Sequence, residues 1–290
     1  MKIFHIILFA ICTIFASIYW GAISNNKVVE SITYFPSDPE ISYLDAKTKI
    51  SEPISQEKHY QVQVNTLSRL ENPVYMRQDI SLIFANGRLI GKMGKWEEKT
   101  ESIQNEFPLN LKNNRLLRAV TFHHSEIHKE NQLYSAQTMS SDFLYIVHSS
   151  VASLLAFQTP ATEEDIGWME VLNKAETEVI QLTLQSAAEV HQLNLEHYHI
   201  IPLSELPNYN EKPLPSLTKE QSNKIIGQLW EGLYKNYFLG IKKSDGTILS
   251  PLNSTIPVIL LAKNHQHLYV VFETDTGESI LLKQLISNNE

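Results

Sequence analysis

Eleven histidines occur in this 290-residue chain, and one group of them is spaced for chemistry. In Phe122-His123-His124-Ser125-Glu126-Ile127-His128, an extended backbone would put His124, Glu126 and His128 on one face, because side chains alternate along a strand. Two imidazoles and a carboxylate at that period can ligate a transition metal such as zinc or iron and leave positions open for substrate. His197 and His199, also two apart, would share a face on another strand and could add ligands. The competing reading is a solvated sheet face beside a hairpin turn. A helix would bring His124 and His128 together but send Glu126 elsewhere, and no His-Glu-x-x-His motif is present.

Other fragments copy catalytic motifs without their partners. Asp275-Thr276-Gly277 matches the aspartic-protease tripeptide, but that chemistry needs two carboxylates sharing a proton. Here the tripeptide lies between two strand-like runs, where a turn belongs. Ser-x-x-Lys occurs at Ser55–Lys58 and Ser216–Lys219, without the Ser-Asp-Asn and Lys-Thr-Gly companions that serine acylation by penicillin-binding proteins uses. Neither a Gly-x-Ser-x-Gly elbow nor a phosphate-binding glycine loop occurs, and ten glycines leave little material for one. No catalytic constellation emerges from these motifs. Cofactor-binding residues are not expected beyond the candidate metal set.

Composition narrows the class further. With 43% apolar and aromatic residues the chain is a folding one. Its formal net charge of −8, with no basic cluster, argues against nucleic acid and anionic lipid as partners. The single cysteine, Cys12, excludes an internal disulfide framework and a cysteine-based zinc site.

Cys12 lies in an apolar run, Ile3 to Ile23, that contains no Lys, Arg, Asp or Glu. As a helix it would be roughly 31 Å long, enough to cross a hydrocarbon core of about 30 Å. Tyr19 and Trp20 fall at its end, where aromatic residues favour the membrane interface. The small pair Ala22 and Ser24 offers the alternative of a signal peptide cleaved after Ser24. Ile11 stands where lipidation of Cys12 would need a small residue. Residues 1–24 thus read as a transmembrane anchor or signal segment, and residues 25–290 as extracytoplasmic, or secreted if cleavage occurs.

The elements that must position the histidines follow from periodicity. Residues 25–58, punctuated by Pro36, Pro39 and Pro53, read as a polar juxtamembrane spacer with a short helix near Leu44. Tyr60, Val62 and Val64 alternate with polar residues as in a half-buried strand. Asn86-Gly87 between apolar runs fits a type I′ hairpin, and 95–106 reads as a surface helix with Trp96 as its apolar foot. A second hairpin runs from Leu116 to His128 and back through Leu133 to Val147. Thr162 is placed to cap a helix from Glu163 to Gln192 with a stripe of Trp168, Leu172, Ala175, Val179 and Leu182. Thr218 and Gln221 form a capping box for a helix reaching Asn236, whose aromatic stretch Gly227–Leu239 is either a core stripe or a partner surface. Strands follow near 257–262, 268–273 and 279–285. Consecutive antiparallel hairpins with intervening helices give an α+β fold, behind an N-terminal transmembrane helix. Residues 59–290 form the extracytoplasmic domain, as one unit or as two lobes divided near 150–162.

The stretches GRLIGKMGKWEEKT (87–100), FHHSEIH (122–128), QTMSSDFLYI (137–146) and IIGQLWEGLYKNYFLG (225–240) resemble uncharacterised exported, N-terminally membrane-anchored proteins of Gram-positive bacteria. The resemblance spans most of residues 80–240. It implies the outer face of the cytoplasmic membrane and brings no activity with it. The expectation is therefore a membrane-anchored extracytoplasmic binding or accessory protein, attached through its N-terminal helix and meeting a protein or cell-envelope partner. The alternative is a metal-dependent hydrolase built on His124, Glu126 and His128.

Overall fold

Between Asp45 and Val147, short turns separate long runs of β-formers, and every one of those runs is a strand in the computed structural model. The structure describes residues 35–286 apart from 57–58, 130–131, 149–153 and 244–245. The apolar run 3–23, the cleavage alternative at Ser24 and the start of the expected spacer lie outside the described residues. Among the described residues, no helix is long and apolar enough to cross a membrane. They all fall within one compact unit, 34–290.

Strands β1 (Asp45–Ile50), β2 (Ile54–Ser55), β3 (Tyr60–Ala85), β4 (Arg88–Lys95), β5 (Thr100–Leu111), β6 (Arg115–Lys129), β7 (Gln132–Val147) and β8 (Leu155–Phe157) come first. The 26-residue β3 is their spine. Its first half, to Arg69, pairs antiparallel with β1 and β5. Its second half, from Asp79, pairs with β4 and β6. Between the halves the register breaks on both flanks, at Arg69/Val74 and Tyr75/Gln78, and irregularities of this kind bend a strand. The two halves thereby enter two facing layers. Tyr60, Val62, Val64 and Leu109 from one layer pack with Ile83, Leu117, Leu144 and Ile146 from the other.

The second layer is also covered on its far side. Helix α1 (Glu163–His191), strand β9 (Tyr198–Pro202), helix α2 (Lys219–Leu233), the two-stranded ribbon β10 (Ile241–Lys242) and β11 (Ile248–Leu249), and strands β12 (Val258–Ala262), β13 (His267–Glu273) and β14 (Ser279–Leu285) complete the domain. The last strands form an antiparallel sheet in the order β14-β13-β12-β9. Ile80, Leu82, Phe84, Val120 and Phe122 meet Ile225, Leu229 and Trp230 of α2 and Ile259 and Phe272 of that sheet. Trp230 stacks on Phe122 with ring centroids 5.2 Å apart. Burial on both faces explains the nearly unbroken apolar start of β6, Leu116 to Phe122. The architecture is α+β and mostly antiparallel.

Several expectations change in detail. The stretch 95–106 enters strand β5 from Thr100 instead of forming a helix, because a ladder to β3 from Tyr60↔Leu111 to Arg69↔Ser102 uses its backbone. The expected spacer contributes β1, and Leu44 lies in a bend just before it, not in a helix, its N–H donating to Arg69 O at 2.8 Å. Thr162 caps α1 with Asp165 closing the box, but the buried stripe is Asp165, Leu172, Glu176, Thr183 and Ala187, and Leu182 is 61% exposed. Arg118 draws Glu176 inward through bonds of 2.9 and 2.8 Å, which turns the helix away from its most apolar face. Helix α2 has the expected Thr218–Gln221 box but ends at Leu233, followed by a π-turn over Tyr234–Phe238.

Candidate functional site

Strand β6 carries two sets of polar side chains, one on each face. The even-numbered set is the one the spacing singles out. His124 lies partly buried with its ring 5.9 Å from that of Phe122. Glu126 is largely covered, His128 is 57% exposed, and His128 Nε2 stands 3.9 Å from Glu126 Oε2. Among the described residues, no group of three or more His, Cys, Asp or Glu side chains is arranged to hold a metal ion. His197 ends a 3-10 turn capped by Asn194 and is not in a strand. His199 lies on β9, in the other sheet, paired with Leu261. Burial, then Lys263 and His265, push its imidazole below its ordinary range. Asp275-Thr276-Gly277 is a turn, with Gly277 at φ 81°.

Beyond the part of this face that α2 covers, an exposed row crosses the sheet. Leu133 on β7 is 42% exposed and pairs directly with His128 on β6. The His128 ring is 5.5 Å from Tyr75 on β3, tilted by 46°. Tyr75 meets Trp96, the residue after β4, edge-on at 5.3 Å and 83°, and Trp96 is 49% exposed. Trp96 is thus held by a sheet, not by the surface helix its neighbours suggested. The row was not legible in the sequence, because the break in β3 beyond Tyr75 sets which side chains meet.

The odd-numbered set points between the layers. His123 Nδ1 is 2.8 Å from Asp79 Oδ2, and His123 Nε2 is 2.8 Å from Ser140 Oγ. Asp79 and His123 side chains are wholly buried, whereas Ser140, near the seam between β1 and β7, is partly exposed. From Ser140 the chain of bonds continues to Thr48 Oγ1 at 2.6 Å, to Thr121 Oγ1 at 2.6 Å and to Ser81 Oγ at 2.8 Å. Tyr43 closes over it, its hydroxyl 2.6 Å from Ser125 Oγ. Burial first, then the charge of Asp79, raise that phenol well above its ordinary range. Asp79 Oδ1, Thr66 Oγ1 and Ser68 Oγ are buried without a hydrogen-bond partner among the described residues.

Asp–His–Ser in this connectivity is that of an acyl-transfer triad. Thr48 Oγ1–H donates to Thr121. In the Ser140–Thr48 contact either hydroxyl can donate, and the His123 tautomer sets the direction at Nε2. The network ties β1, β3, β6 and β7 together. Sequence reading passed over Asp79, His123 and Ser140, which lie far apart in the chain. The available signal was parity, since Thr121, His123 and Ser125 alternate within a strand whose other face is also buried.

No protein-family model, no curated protein and no solved structure matches this chain.

Proposed function

We propose that the chain works as a membrane-anchored, extracytoplasmic binding or accessory protein, tethered through residues 3–23 and meeting a protein or cell-envelope component through the row Leu133, His128, Tyr75 and Trp96. One observation carries the reading. An exposed tryptophan is braced edge-on by a tyrosine, 5.3 Å away, at the uncovered end of an otherwise double-covered sheet. Aromatic side chains supply large contact area for little conformational entropy, and Trp and Tyr are over-represented among the anchors of binding surfaces. The length and composition of the apolar run support the tether.

The test is a photo-crosslinking amino acid placed at position 96 of the full-length chain in cells, with position 182 on α1 as the exposed control. The expected result is a discrete crosslinked species from position 96 only. Equal or absent crosslinking at both positions overturns the assignment of the row.

A further inference from the structure

We infer that an ordered water molecule is bound between the two β layers, held by Asp79 Oδ1, Ser68 Oγ and Thr66 Oγ1. Each of these oxygens is buried without a hydrogen-bond partner among the described residues, and their residues are 1%, 0% and 1% exposed. A buried polar atom left unpaired forfeits its hydration without replacement, so native folds seldom keep one. The ladders bring the three to neighbouring places. Thr66 pairs with Thr48 on β1, and Ser68 pairs with Ala46. In the facing layer Ser81 pairs with Thr121, and Asp79 with His123. Thr48 Oγ1 reaches Thr121 Oγ1 across the gap at 2.6 Å, which sets Thr66 at the level of Ser81 and Thr121. Two residues nearer the bend in β3, Ser68 and Asp79 share the next level.

The space between the layers has room at this level. Packed sheet layers lie about 10 Å apart, and where Val64, Ile83, Leu117 and Ile146 meet, branched side chains fill the gap. Beyond them the buried inward positions carry Ser68, Ser81, Ser125 and Ala136, side chains that end at Cβ or one atom past it. Water suits the three oxygens. Asp79 Oδ2 already lies 2.8 Å from His123 Nδ1, which leaves Oδ1 to accept. A water donates to Oδ1 and accepts from the two hydroxyls, and buried waters make about three such bonds. A hard cation is the rival guest. Calcium takes about 6–8 oxygens, with carboxylates prominent among them, whereas only one of these three oxygens belongs to a carboxylate. Among the described residues, no group of three or more His, Cys, Asp or Glu side chains is arranged to hold a metal ion. Bound there, the water links the two halves of β3 across the bend that separates them.

The experiment is oxygen-17 relaxation dispersion of solvent water with the full-length chain in detergent micelles. The oxygen-17 signal follows water itself and ignores exchanging hydroxyl protons, so it counts the waters that the protein holds. Thr66→Val combined with Ser68→Ala removes two of the three partners with little change of shape. The count is expected to fall by about one water, while Leu182→Ala leaves it as in the unmodified chain. Ser68→Val, which fills the space, is expected to lower the count equally. Matching thermal melts establish which variants are folded, and one folded variant is enough to decide. A count that stays unchanged in a folded variant overturns the proposal. A stoichiometric metal ion in the unmodified chain, found by elemental analysis and absent from Asp79→Asn, also overturns it and assigns the site to a cation.

Discussion

His123 Nδ1 lies 2.8 Å from Asp79 Oδ2, and neither side chain reaches solvent. The contact joins β6 to the second half of β3 where the two strands pair, Asp79↔His123. Removing one partner of a buried hydrogen-bonded pair leaves the other unsatisfied, which costs about 1–3 kcal/mol. Asp79→Ala and His123→Ala are each expected to lose stability of about that size in urea titration, and the double substitution less than the sum of the two. Additive losses would mean that the contact contributes nothing of its own.

Ser140 has the connectivity of a nucleophile, but its hydroxyl also lies 2.6 Å from Thr48 Oγ1 in a network that ties β1, β3, β6 and β7 together. A fluorophosphonate ester is therefore expected to leave Ser140 unmodified in the folded chain, as read by peptide mass spectrometry. Ser140→Ala is expected to destabilise by about 1 kcal/mol, one net hydrogen bond. Stoichiometric labelling of Ser140 would show that the relay is an acylation site.

Gly87 sits at φ 76° in the turn after β3, and a Cβ there would come within 3.2 Å of Val179 Cβ and Cγ1. Left-handed backbone costs a non-glycine residue about 1–2 kcal/mol, before any shift of α1. Gly87→Ala should lower the melting temperature. Asn86→Gly, at a position already at φ 48°, should lower it less. The reverse order would contradict the account of the turn.

Burial raises the Glu176 carboxyl above its ordinary 4.5, and Arg118 offsets only part of the rise. The folded chain then binds this proton more tightly than the unfolded chain does. Glu176 therefore favours folding most below the ordinary glutamate range, and its contribution falls as pH rises through the interval between the ordinary and the raised value. The melting temperature of the unmodified chain minus that of Glu176→Gln should fall across that interval. A difference that stays flat or rises would show that Arg118 outweighs the burial.

The local devices of the fold were legible because short-range chemistry determines them. Thr162, Thr218 and the Asn86-Gly87 turn occupy the expected places, and the hairpin from Leu116 to Val147 closes between Lys129 and Gln132. What failed depended on distant partners. Residues 95–106 have enough charged and polar side chains to imitate a surface helix, and only pairing with β3 makes a strand of the part from Thr100. Asp165, Glu176 and Thr183 face inward on α1, which no apolar count anticipates, because Arg118 and Thr255 wait for two of them. The three histidine-motif residues do share a face, as spacing required. Parity alone could not reveal that the opposite face, with His123, meets Asp79 and Ser140 across other strands, or that Tyr75 meets Trp96.

The central claim is that Trp96 and its neighbours are covered by a partner where the protein works. Hydroxyl-radical footprinting tests it directly, comparing intact cells with the purified full-length chain in micelles. The account predicts that Trp96, Tyr75 and His128 become protected in cells while Leu182 and Val190, 61% and 63% exposed on α1, are labelled equally in both. Equal labelling of Trp96 in the two preparations would contradict it.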